Sequence, residues 1–401
     1  MGVDARDRRS IAQRAGPVAT LPSRDAVLSS RSDGLVLSRT AVIAVGVTFL
    51  FMGLIVAAYG PLLEHLTRRF GVSLPVAGAT ISVHFAGGLL GVLIAMRTME
   101  KLPARVTVMI ATGIVSLGCA AVAVAFVWPF FVAAVFVIGV GFGALVLGLN
   151  QLVAYSEGRR RAALLNALNG AYSAGAVAGP IMIAAFAQEH FSLLYLAAAG
   201  VALALTPGAI GISGRLPVAA GSPGRPGLLV VIFILAFTLY VAVENGTGGW
   251  MTSHLESIGL ASKDAATLTS GFWLALVTGR LLITLVPTRV PEAAIVTTGA
   301  GVATVALLAA SIGVVAPWAY IVAGLALAPI FPTGIVWLAK LKPGDARATS
   351  WLFPAASVGG IAGPGVIGVV IAGFGVGWAP AVLALVALGM VSAFALASRA
   401  R

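Results

Sequence analysis

The chain has 401 residues, 59% of them hydrophobic and 9% charged, with a formal net charge of +12. A soluble domain of that composition lacks the polar surface to cover itself, and the apolar residues come in runs of about 20, long enough to cross a hydrocarbon core. A soluble enzyme is therefore excluded in favour of an all-α integral membrane protein, and the positive charge is read as a topology signal with no nucleic-acid partner.

Residues 1–38 are rich in Arg, Ser, Asp and Pro without an apolar stretch. They predict a disordered basic tail and no secretory signal peptide. Hydropathy and its breaks then predict twelve transmembrane helices near 40–62, 75–97, 104–126, 128–155, 163–187, 191–214, 227–255, 264–286, 292–314, 316–340, 347–372 and 376–398. With the N-terminus inside, every one of the 25 Lys and Arg residues except Arg68, Arg69 and Lys263 falls on the inner side. Lys and Arg accumulate on cytoplasmic loops, so a multi-pass protein of the cytoplasmic membrane with both termini inside is expected. The single cysteine, Cys119, lies in an apolar span as a small packing residue, and leaves no disulfide or cysteine metal site within one chain.

The polar stretch RLPVAAGSPGRP (215–226) divides the spans six and six, giving expected halves at 39–214 and 227–401. The halves repeat each other. LLGVLIAMR, ending at Arg97, aligns with LLITLVPTR, ending at Arg289, and SAGAVAGP (173–180) aligns with SVGGIAGP (357–364). Such internal symmetry is common in transporters.

From about residue 40 onward the chain resembles the major facilitator superfamily. YVAVENGTGGW, GFWLALVTGRLL, LALAPIFPTGI and LLNALNGAYSAGAVAGP are similar to stretches of its fucose-permease-like sugar permease branch. The resemblance implies two pseudo-symmetric six-helix halves around a central solute path. The loop after the second span, AMRTMEKLPAR, departs from the superfamily's G-x-x-x-D-R-x-G-R-R pattern at the Asp position, although Arg97, Glu100, Lys101 and Arg105 keep the loop charged and Arg289 stands at the position that repeats Arg97. The acidic residues that fucose permeases carry in the first and fourth spans are replaced by YGPLLEHL and GLNQLVAY, so any proton coupling must be rewired or absent.

Of the thirteen acidic residues only Glu244 falls well inside a predicted span. A charge there costs about 2.5–3.5 kcal/mol on insertion scales and usually faces a bundle interior or wet cavity. The following NGTGG consists of poor helix formers, which predicts a discontinuous seventh helix lining the path, with Asn245 beside the carboxylate. Glu244 can serve as a proton acceptor, as an acceptor for solute hydroxyls, or as a structural carboxyl. At 100° per residue Asn166, Asn169 and Ser173 share one face of the fifth helix, with Tyr172 adjoining, while Gly175 and Gly179 lie opposite, where a neighbouring helix can approach closely. By the resemblance, Asn169 takes the place of a substrate-contacting Gln. Amides donate and accept, which suits sugar hydroxyls or an interhelical hydrogen bond equally.

Asn150 and Gln151 stand before the cluster EGRRR and can reach the inner cavity or bridge helices. His84 is the alternative proton site, or a packed interior histidine. Trp250 and Trp273 can stack on sugar rings or belong to the aromatic belt and the packing. Arg280, toward the inner end of its span, reads as a snorkelling side chain.

No phosphate loop and no metal-ligand spacing occur, so neither catalysis nor ATP-driven pumping is indicated, and no cofactor or metal is expected. The reading is a monomeric, proton-coupled secondary transporter importing a monosaccharide or similar small polar solute. The alternatives are efflux of drugs or metabolites by proton antiport, toward which Gly175-x-x-x-Gly179-Pro180 points, and a non-transporting receptor.

Overall fold

The computed structural model describes residues 36–99, 101–155, 161–215, 226–283, 289–343, 348–349 and 351–399. The chain forms helix α1 (Arg39–Phe70), α2 (Leu74–Thr98), α3 (Ala104–Ala123) and α4 (Trp128–Tyr155). A run from Arg161 to Leu205 bends at His190, where φ −129° and ψ 34° leave the helical region, and so supplies both α5 (161–189) and α6 (His190–Gly211). There follow α7 (Leu228–Ser257), α8 (Ser262–Leu282), α9 (Glu292–Ala309), α10 (Ala316–Leu341), α11 (Leu352–Phe374) and α12 (Ala379–Arg399).

Among the described residues, 11 helices are long and apolar enough to cross a bilayer. In hydrocarbon the backbone must satisfy its own polar groups, which is why runs of this composition become helices. With α5 added to these the described helices number twelve, an even number that brings both ends of the set to one side, here called the terminal face, and the opposite side is the distal face.

Local signals fix the ends of α1. Ser38 Oγ accepts a hydrogen bond from the Ala41 N–H at 3.1 Å, and Gly71 closes the helix with φ 65°, a left-handed conformation that glycine adopts without strain. The helix runs eight residues past the expected end at 62, so Glu64 and Arg68 lie on its last two turns, joined at 3.1 Å. Just before α1, strand β1 (Val36–Leu37) pairs antiparallel with β2 (Ile212–Ser213), a small addition to an otherwise helical fold.

Close packing follows the glycines. A β-carbon on Gly175 of α5 would overlap the Leu50 carbonyl oxygen of α1, and one on Gly179 would stand 2.7 Å from that of Leu54. In the matching segment of α11, Gly359 and Gly363 lie as tightly against the Thr238 and Ala242 carbonyls of α7. The two aligned motifs therefore do the same work, letting backbones approach where lipid gives helices no hydrophobic reason to associate.

The expected break in α7 does not occur. The helix is continuous through Glu244 and the glycines, because those glycines are spent on packing. Added β-carbons would meet Ile367 at Gly246 (2.6 Å), the Trp273 ring at Gly248 (2.5 Å) and Ile81 at Gly249 (2.5 Å). Tertiary contact on several sides holds a helix that propensity alone disfavours. The interruption falls in α10 instead, between Leu327 and Ile330, where Pro329 has no N–H to give the ladder.

On the distal side the first six helices meet the last six closely. Gly60 of α1 abuts the Gly248 carbonyl, Trp250 covers Gly78 of α2, and Ser82 Oγ donates to the Ile361 carbonyl at 2.8 Å.

Candidate functional site

Near the middle of α7, Glu244 forms an ion pair with Arg280 of α8, Nη2 to Oε1 at 3.0 Å, with 13% and 30% of the two side chains exposed. Arg280 also donates from Nη1 to Ser173 Oγ of α5 at 3.2 Å, and Ser173 in turn donates to the Asn169 carbonyl at 2.9 Å. The chain of bonds thus runs from α7 through α8 to α5, across the contact between the first and last six helices.

Two phenols flank the pair. Tyr240, fully buried one turn before Glu244, brings its hydroxyl to both charges without a hydrogen bond of good geometry to either, and Tyr172 lies within their electrostatic field. The arrangement is neutral overall. Removing one member of such a pair leaves an uncompensated charge at a typical cost of about 3–5 kcal/mol.

Arg280 was expected to snorkel toward the inner boundary, and here it does the opposite. Side chains on a helix lean toward its N-terminus, and α8 starts at the distal face, so this guanidinium is carried inward to Glu244. Helix direction was the signal in the sequence that could have found it. Asn169 and Tyr172 share the Ser173 face, as their spacing implies, and Asn169 is exposed. The Asn166 side chain lies outside the described residues.

The family model described as the Major Facilitator Superfamily matches residues 45–343, more than half of the chain. The chain belongs to the major facilitator superfamily. As a member it is a multi-pass membrane transporter of small molecules and not an enzyme. It is 22% identical to "Protein TsgA" of Salmonella arizonae (strain ATCC BAA-731 / CDC346-86 / RSK2980) over 327 residues, 78% of this chain and 83% of that protein. Its fold is similar to a D-xylose-proton symporter (TM-score 0.72, 14% identity, covering 88% of this chain and 96% of that one). It is also similar to a bacterial homologue of the human lysosomal transporter Spinster, inward-facing and occupied (TM-score 0.71, 15% identity, 95% and 98% covered).

Other expected site residues of this superfamily member lie elsewhere. Trp250 is fully buried, donating Nε1–H to the Pro364 carbonyl at 3.0 Å, so its ring belongs to the α2, α7 and α11 packing and not to a solute path. Trp273 is likewise buried, its ring laid on Gly248. His84 is interior, hydrogen-bonded through Nδ1 to the Tyr59 hydroxyl at 3.0 Å and enclosed by Phe85 and Phe142. This is the packed alternative to a proton site.

Asn150 and Asn245 turn their amides back to their own helices, donating to the Val146 and Val241 carbonyls at 2.7 Å and 3.3 Å, and Gln151 is half-buried beside Asn150. Arg97 is exposed at the end of α2 and Arg289 is exposed just before α9. A separate groove of about 400 Å³ between α8, α9 and α10 is lined by apolar residues such as Ile295, Val302 and Leu325, and takes in none of the polar cluster.

Proposed function

We propose that the chain is a secondary active transporter of the cytoplasmic membrane, both termini inside, importing a small hydroxylated solute of monosaccharide size together with a proton. The halves 39–214 and 227–401, linked by 215–226, rock about the solute path as a monomer. One observation carries the reading: Arg280 of the second half bonds both Glu244 of its own half and Ser173 of the first, so a proton on Glu244 frees the side chain that makes the link alternating access must break. Hydroxyls beside it, with the exposed Asn169 one turn from Ser173, suit a polar solute better than an apolar drug. The likeness to a D-xylose-proton symporter supports this at the level of fold alone.

Reconstituted protein offered a labelled solute panel, with and without an imposed pH gradient, tests the proposal. Glu244→Gln keeps shape and hydrogen-bonding capacity but cannot release a proton, so gradient-driven uptake should vanish while solute counterflow survives. Equal retention of both would rule out coupling through Glu244.

A further inference from the structure

Among the described residues, hydrogen bonds occupy two of the donor nitrogens of Arg280. A guanidinium offers five N–H groups in a planar fork, and the structure commits Nη2 to Glu244 and Nη1 to Ser173 while 30% of the side chain stays exposed. Among the residues whose exposure is described, it is the one Lys or Arg that is not surface-exposed. Beside it stand the Ser173, Tyr172 and Tyr240 hydroxyls, with the exposed Asn169 one turn before Ser173 on α5.

Charge balance then constrains the solute, given the proton coupling proposed above, on which this inference rests. The charged and titratable groups that face Glu244 are Arg280 from α8 and Tyr240 from its own helix, with Tyr172 of α5 also in the field of the pair. With Glu244 ionised the pair is neutral. Once Glu244 takes a proton, Arg280 is left as a partly buried cation without a counter-charge, a state that is strongly unfavourable. A neutral sugar offers hydroxyls but no charge to restore the balance.

We infer that the solute is a small hydroxylated carboxylate, a sugar acid or hydroxy acid, whose carboxylate replaces that of Glu244 on the Arg280 fork. The incoming proton forms an O–H bond on a Glu244 oxygen as the Arg280–Glu244 ion pair gives way, and the solute anion takes the vacated donors. Nothing is oxidised or reduced, and the site is neutral before the proton arrives and again once the anion is bound. One proton and one anion cross together, so the step carries no net charge through the membrane potential. The neighbouring hydroxyls and the Asn169 amide read the solute's own hydroxyl groups.

The test uses purified full-length protein and a paired panel: glucuronate, gluconate and lactate against glucose, sorbitol and lactamide. Thermal stabilisation at mildly acidic pH identifies binders, and proteoliposomes with a potential-sensitive dye follow uptake. The expected result is stabilisation by a carboxylate and not by its uncharged partner, with uptake that follows the pH gradient and generates no potential. Glu244→Gln, a mimic of the protonated state, should bind the carboxylate at least as tightly as wild type and without dependence on pH. Arg280→Lys should weaken binding tenfold or more, since an ammonium loses the fork.

Should Arg280→Lys fail to fold, the doubly neutral Glu244→Gln/Arg280→Gln variant replaces it. That variant should fold and bind no carboxylate. Stabilisation by neutral sugars with none by any carboxylate overturns the inference, as does carboxylate binding that survives in the double variant. Proton-driven uptake of a neutral hexose would remove the anion while leaving the proposed function standing. Carboxylate uptake indifferent to the pH gradient would remove the proton coupling, and this inference with it.

Discussion

Replacing Trp250 by Phe separates packing from solute contact. The indole Nε1–H donates to the Pro364 carbonyl at 3.0 Å, the ring is fully buried, and it lies between Gly78 of α2 and Gly368 of α11, whose added β-carbon would stand 3.3 Å away. Phe retains one ring and loses both the donor and the second ring. Losing that hydrogen bond costs about 0.5–1.5 kcal/mol, the Pro364 carbonyl keeping its place in the ladder of α11, and complete truncation of a buried Trp to Ala costs about 3–5 kcal/mol. The Phe variant should therefore lose about 2–3 kcal/mol, with about 2–4 °C of melting temperature per kcal/mol in a domain of moderate size. Thermal unfolding in detergent reads the loss, and solute affinity of the folded fraction should stay within about twofold of wild type, well under the tenfold that 1.4 kcal/mol represents. Unchanged melting combined with tenfold weaker binding would show the indole on the solute path and refute the packing account.

Gly60→Ala drives a β-carbon into the Gly248 carbonyl, and overpacking of this kind costs about 1–3 kcal/mol, so the distal contact should open. Maleimide labelling of Ile81→Cys, in a background with the buried Cys119 replaced by Ser, should accelerate; equal rates would place the gate elsewhere. Tyr59→Phe removes the hydrogen bond to His84 and should lower stability by about 1 kcal/mol without altering the proton-to-solute ratio; an altered ratio would return His84 to the coupling path. Asn169→Ala should weaken solute binding by about 1 kcal/mol at normal expression, and unchanged affinity would take Asn169 out of the site.

The membrane spans were legible because a hydrocarbon core imposes length and apolarity on every crossing, whatever the packing. Their ends were less so: α1 overran by two turns, since Glu64 and Arg68 pair with each other and remain helical at the rim. Glu244 was legible as a lone interior carboxylate. Its partner was not, because distance from the span end says nothing about which way a side chain leans. The glycines after Glu244 could mean a broken helix or a tightly packed one, and composition is the same in both cases. What decides is the neighbouring helix surface, such as Ile367 against Gly246, which lies more than a hundred residues away in the chain.

The two glycine seams bear on how movement at the ion pair travels. Ser173 rides on α5, locked to α1 through Gly53, Gly175 and Gly179, and Glu244 rides on α7, locked to α11 through Gly359 and Gly363. Where backbone meets backbone there are no rotamers to yield, so each pair behaves as a stiff lever whose length is that of its helices, about 1.5 Å per residue. A joint cushioned by long side chains would absorb a displacement of a fraction of an ångström. These seams have no such slack, and a small shift of Ser173 relative to Glu244, when Arg280 releases either, is carried to the far ends of four helices.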